Sequence, residues 1–149
     1  MRTAIFSTLL VAAFIATSCK HISFSHPMTL TELITYTDVQ NTTCNGLPKH
    51  NKEEAVVTAY IQKLNTFPSQ YRFQIFEGPD IINNRMDVYV STDFTEVFDK
   101  ISKGLSKSNL NDFVPIKVRG TITSKPLPMN GKCKMSVFLT ISSPDYIKF

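Results

Sequence analysis

The chain has 149 residues, 42% of them hydrophobic, with three Cys, no Trp and a formal charge of +4. That length suits one domain with a single core. The modest, scattered positive charge permits attraction to anions but does not demand a polyanionic partner, and no blocks of like charge announce a tail.

Arg2 is the only charge before Lys20, and residues 4–16 are apolar apart from Ser7 and Thr8. Ala16-Thr17-Ser18-Cys19 follows. A basic start, an apolar run of about a dozen residues and small residues at a cut site predict a secretory signal peptide over residues 1–18. A bilayer span needs about 20 apolar residues, more than this run supplies. Ala16-Thr17-Ser18-Cys19 resembles the lipobox of bacterial lipoproteins, with Ala16 where Leu is usual. The resemblance implies lipidation of Cys19 and a membrane anchor. An ordinary signal peptidase cut after Ser18 is the alternative, since Ala16 and Ser18 meet its small-residue rule. Removing residues 1–18 takes away only Arg2, leaving +3.

Three Cys is an odd count for an exported chain. Lipidation of Cys19 would leave Cys44 and Cys133, which either form one disulfide or stay as two free thiols; sequence cannot fix their separation.

Residues 19–28 read as a polar tether with His21, His26 and Pro27. Lys20-His21-Ile22-Ser23 lacks the acidic residues that follow the lipidated Cys of some surface-exported lipoproteins. The expectation is a lipid anchor on the periplasmic side of a bacterial membrane, the outer membrane first. Residues 29–36 predict a short helix: Thr29 caps it, Glu32 stands at capping-box spacing, and Leu30, Leu33 and Ile34 share a face. Residues 37–52 are loop-like, rich in Asn, Gly and Pro. His21, His26 and His50 all fall in tether or loop.

From residue 53 apolar residues alternate. Strands are predicted at 55–64, with Val57, Ala59 and Ile61 on one side, and at 71–76, with Tyr71, Phe73 and Ile75 inward. A third at 85–90 has Met86, Val88 and Val90 inward. Residues 65–69 should break the chain between the first two. A helix follows, with Asp93 as cap and Phe94, Val97, Phe98, Ile101 and Leu105 on one stripe. Two last strands lie at 113–123 and 133–142, joined by a loop at 124–132. Pro115 belongs at an edge or strand start, and Gly120 at a bend or bulge.

Five strands with a helix between the third and fourth, preceded by a short N-terminal helix, is the element order of the OB-fold, a five-stranded Greek-key barrel. Residues 29–149 would then be one mainly β domain. The chain resembles OB-fold lipoproteins of Bacteroidota-like bacteria, with a nucleic-acid-binding-type OB domain. This implies a binding module whose ligand face is the outward side of strands two and three, flanked by the loops between strands one and two and between four and five. That face would carry Arg72, Gln74, Phe76, Arg85, Asp87 and Tyr89, with Phe67, Gln70, Lys125 and Lys132 from the loops. Aromatics interleaved with Arg stack on planar groups and hold anions.

No phosphate-binding Gly motif, Cys-x-x-Cys pair or rigidly placed His is present, so no enzyme, metal or cofactor is expected. An oligosaccharide, peptide or protein ligand fits an exported module better than nucleic acid, since the bases form no stripe. A structural subunit of a cell-envelope complex is the other expectation.

Overall fold

The computed structural model describes residues 23–129 and 132–149. The expected targeting run at 1–18, the expected lipidation residue Cys19 and the expected tether as far as residue 22 lie outside them.

Helix α1 (Leu30–Thr37) starts at a complete capping box: the Glu32 amide donates to Thr29 Oγ1 at 3.2 Å, and the Thr29 amide donates to Glu32 Oε2 at 2.7 Å. These bonds satisfy two amides that the helix cannot. Leu30 and Leu33 are fully buried. The helix ends at Asp38, whose φ of 51° is left-handed. Just before it, Met28 pairs in parallel with Val57, so the last residue of the expected tether is built onto the sheet.

The strands are β1 (Glu54–Phe67), β2 (Arg72–Phe76), β3 (Arg85–Val90), β4 (Val114–Met129), β5 (Lys132–Ile141) and β6 (Ile147–Lys148). Helix α2 (Glu96–Gly104) lies between β3 and β4. They form one mixed six-stranded sheet, ordered β1-β2-β3-β5-β4-β6. β1 also pairs with β4, from Glu54↔Thr121 to Ile61↔Val114, which closes five strands into a ring. β3 and β5 run parallel and the other pairs antiparallel. The mainly β class and the chain order of strands β1 to β5 with their two helices agree with the sequence reading; the two-residue β6 is a sixth strand that the reading did not expect.

Alternation also sets what the ring encloses. Val57, Ile61, Phe73, Ile75, Val88, Val118, Leu139 and Ile141 point inward and are fully buried, joined by Val97, Ile101 and Leu105 around α2. Burying each of these side chains contributes roughly 1.5–3 kcal/mol of hydrophobic free energy.

Several local expectations are corrected. Asp93 does not cap α2; Thr95 occupies the cap position without a side-chain bond, and Phe94 N–H to Ser91 O (2.9 Å) holds the entry turn. Residues 65–67 do not break β1. They continue it past a bulge, where the register jumps from Ile61↔Ile75 to Thr66↔Phe73. The bulged segment is tied to the 108–111 loop by Leu64 N–H to Leu110 O (3.1 Å), Gln62 Nε2 to Asn111 O (2.7 Å) and Lys63 Nζ to Ser108 O (2.9 Å). Tyr71 is not inward: it is the left-handed residue of the β1–β2 turn, φ 51°, and is exposed.

The predicted 124–132 loop is strand as far as Met129, and Lys132 opens β5. Beyond Thr121, β4 has left β1 and pairs only with β5. The Ile122 amide still donates to Glu53 O at 2.8 Å; past it every second amide faces an open edge, and Pro126 and Pro128, two apart, fall where no ladder bond is lost. Gly120 sits one residue before this departure, opposite Ala55. A Cβ on it would stand 3.1 Å from Leu139 Cβ and 3.1 Å from Thr140 O, so any other residue would press β5 outward by a few tenths of an ångström.

Candidate functional site

On the outward side of the sheet, β2 and β3 bring together four of the expected residues. The register sets Arg72 opposite Tyr89 and Gln74 opposite Asp87. Arg72 Nη1 donates to Asp87 Oδ1 at 2.9 Å, and Gln74 Nε2 donates to the same oxygen at 3.0 Å. Arg72 Nε donates to Gln70 Oε1 (2.8 Å), and the guanidinium lies 4.3 Å from the Phe67 ring centroid. The expected anion-holding charge of Arg72 is thus spent within the protein, because Asp87 stands beside it.

Tyr89 joins a second group. Its hydroxyl accepts from Lys125 Nζ at 2.9 Å, and its ring meets Phe138 edge-on at 4.9 Å. The same ammonium stands 5.0 Å from the Tyr89 centroid and 5.4 Å from that of Phe138. Lys125 reaches Tyr89 from β4 across β5, not from a loop. Phe138 was not among the expected site residues. Its outward phase on the last strand is readable from the alternation, but its place beside Tyr89 depends on the parallel β3–β5 pairing.

Between these groups a groove of about 240 Å³ is lined by Gln74, Arg85, Asp87, Lys125, Ser136 and Phe138. Arg85 is exposed at its rim, and among the described residues it makes no ion pair. The chemistry offered is one guanidinium, one ammonium, an amide, a hydroxyl, an aromatic edge and the Asp87 carboxylate, which Arg72 and Gln74 already engage.

Two expected members do not join. Phe76 is only 4% exposed, so it is not an open stacking surface. The Phe113 ring meets it edge-on, with centroids 5.6 Å apart. It floors a neighbouring groove of about 410 Å³ with Gln62, Asn65, Ile82, Arg85 and Asn111. The β1 bulge aims Gln62 and Asn65 there, as bulges beside sites do. Lys132 lies four residues along β5 from Ser136, the register partner of Lys125, about 13 Å away.

Cys44 and Cys133 are disulfide-bonded, with Cα atoms 5.6 Å apart and a sequence separation of 89. Thr43 bridges to Lys134 beside the bond. Segment 38–46 is therefore a strap across the β4–β5 hairpin. Its start is stitched by Asp38, which accepts from Asn41 Nδ2 (2.7 Å) and pairs with Lys49 Nζ (3.1 Å). These bonds hold the Asp38 carboxyl below its ordinary value, the Asn41 bond foremost. Nearby, the Tyr36 ring stacks on His50 at 3.7 Å, and His50 Nδ1 lies 3.0 Å from Glu53 Oε2. Partial desolvation first, and then the Glu53 carboxylate, raise the Tyr36 phenol. Among the described residues no cluster of His, Cys, Asp and Glu could hold a metal ion.

No family model matches the chain, and no curated protein or solved structure matches it.

Proposed function

We propose that the chain is an exported, lipid-anchored binding module on the periplasmic side of a bacterial membrane. Its domain is an OB-type barrel and it has no catalytic role. The strand ring β1-β2-β3-β5-β4, with β3 and β5 parallel and a helix between β3 and β4, supports the OB reading. The apolar run ending at Cys19 supports export and anchoring. The Cys44–Cys133 bond fits an oxidising compartment.

The observation that carries the binding reading is the groove between β2–β3 and the β4–β5 hairpin. It offers the Arg85 guanidinium and Lys125 ammonium beside an aromatic edge. Such a site takes an oligosaccharide or peptide carrying a carboxylate or phosphate.

A second reading, a structural subunit of an envelope complex, is favoured by a specific apolar rim. Leu64, Leu110, Ile81 and Ile82 are each more than half exposed, and the groove floored by Phe76 has Ile82 in its wall.

The test is co-purification from detergent-solubilised membranes, followed by mass spectrometry. Arg85→Ala with Phe138→Ala should lose the small-molecule ligand and hardly move the melting temperature, because both side chains point outward. Loss of a protein partner on Ile81→Asp with Ile82→Asp, with the first pair harmless, would replace the ligand reading by the subunit one. Cys19→Ser should move the exported protein to the soluble fraction; retention in the membrane would refute the lipid anchor.

A further inference from the structure

The positive charge is not scattered evenly. From Phe113 to Pro144 the chain carries Lys117, Arg119, Lys125, Lys132 and Lys134 and no Asp or Glu. On β4 the inward positions are Ile116, Val118 and Ile122, so Lys117, Arg119 and Lys125 lie on its outward side. On β5 the register sets Lys134 opposite Leu127 and Lys132 opposite Met129. Both therefore share the side of Lys125, while Cys133 and its disulfide take the other. β6 adds Lys148 directly opposite Lys117. Like charges facing each other across a strand pair destabilise it unless an anion lies between or above them.

The acidic groups near this ribbon include Glu54, Asp87 and Asp145, the last an exposed carboxylate in the turn just before β6 that forms no ion pair among the described residues. Glu54 pairs with Arg119. Asp87, across the groove from Lys125, is taken by Arg72 and Gln74. Lys117, Lys132, Lys134 and Lys148 form no ion pair among the described residues. Pro126, Leu127 and Pro128 are exposed on the same hairpin, Leu127 by 37%.

The tether arrives on this side too: Ser23 O accepts from Arg119 Nη1 at 3.2 Å. Cys19 stands four residues before Ser23, a reach of at most about 14 Å however the chain runs.

We propose that the outward side of the β4–β5–β6 ribbon docks on an anionic bilayer surface, with Lys117, Lys132, Lys134 and Lys148 over the headgroups and Leu127 at the interface. The proposal rests on the lipid-anchor reading, because an acyl chain on Cys19 would hold this side within reach of the bilayer. The anchor retains the protein; the ribbon fixes which way it faces. Lys125 stands where the ribbon meets the ligand groove, so docking would set that groove beside the headgroups. Each Lys near an anionic surface strengthens binding about fivefold, within a Debye length of about 8–10 Å.

The test is flotation of the full exported chain carrying Cys19→Ser, which has no acyl chain, with vesicles of phosphatidylcholine alone or mixed equally with phosphatidylglycerol. Binding should appear with the mixed vesicles only. Lys132→Gln with Lys134→Gln should weaken it about 25-fold at an unchanged melting temperature. Lys49→Gln with Lys52→Gln removes the same charge from the segment that follows the strap, and should leave binding intact. Equal binding to neutral vesicles would overturn the proposal, as would an equal loss in the Lys49/Lys52 variant. Binding to soluble heparin but to no vesicle would assign the ribbon to a polyanionic chain and overturn it as well. Mass measurement of the wild-type N-terminal peptide separates the two readings: no lipid on Cys19 with vesicle binding intact sinks the anchor and keeps the surface, and the converse pattern does the opposite.

Discussion

The two halves of β4 are held by different means. From Val114 to Thr121 the strand pairs with β1, and Ile116 and Val118 are buried inside the ring. Beyond Thr121 it pairs with β5 alone, and after Ile122 its inward positions are Ser124, Pro126 and Pro128, which bring little apolar area. The outer half relies instead on a covalent strap, Cys44 to Cys133, with the Thr43–Lys134 bridge beside it. One strand thus passes from a region stabilised by hydrophobic burial to one stabilised by cross-linking. A two-stranded ribbon alone is marginal in water; the strap lets this one project with a basic outer face.

That contrast predicts an order of damage. Phe73 is the largest fully buried side chain among the described residues, and Phe73→Ala should cost about 3–5 kcal/mol in chemical denaturation, since the closed ring collapses poorly around the void. A loss below about 1 kcal/mol would mean the ring is loosely packed. Cys44→Ala with Cys133→Ala should cost less, about 2–4 kcal/mol, through the long loop that the bond closes in the unfolded chain. Amide exchange should then rise in residues 38–46 and 124–135 and stay slow in β1–β3; exchange rising everywhere would deny the two-region picture. Gly120→Ala tests the boundary. The added methyl meets Leu139 Cβ and a backbone oxygen, neither of which swings away, so about 1–3 kcal/mol should be lost. A neutral result would mean β5 can shift outward there.

The same contrast explains what the sequence discloses. Inside the ring one face is buried, so period-two alternation names the core: Val57, Phe73, Val88 and Leu139 were all readable. The N-terminus of α1 was readable because Thr29 and Glu32 carry a local rule. Residues 124–129 and 132 belong to strands although two Pro and an Asn-Gly in the segment speak for a loop; only the open edge past Ile122 makes those Pro harmless, and an edge belongs to topology. Phe76 keeps its outward phase yet is buried, its ring edge-on to Phe113, a residue 37 positions later that no local pattern links to it. The Arg72–Asp87 pair and the Tyr89–Phe138 contact depend on strand register. The site's residue types were legible, and which of them neutralise one another was not.

The smallest effect concerns the strap's own stitching. Asp38 accepts from Asn41 and pairs with Lys49, and both interactions favour its ionised form, so its folded value lies below the ordinary 3.8. A carboxyl depressed on folding stabilises at pH above its unfolded value, and that contribution is lost as pH falls through the folded one. Asp38→Asn keeps a side chain that tolerates the left-handed backbone at this position, but removes the charge. The variant should therefore be slightly less stable than the wild type at neutral pH, by an amount that does not vary between pH 5 and 8. The gap should narrow below the ordinary Asp value and close once the wild-type carboxyl is protonated. Paired denaturation midpoints across acid pH check this. A gap that persists unchanged into strong acid would mean that Asp38 acts through side-chain shape and not through charge.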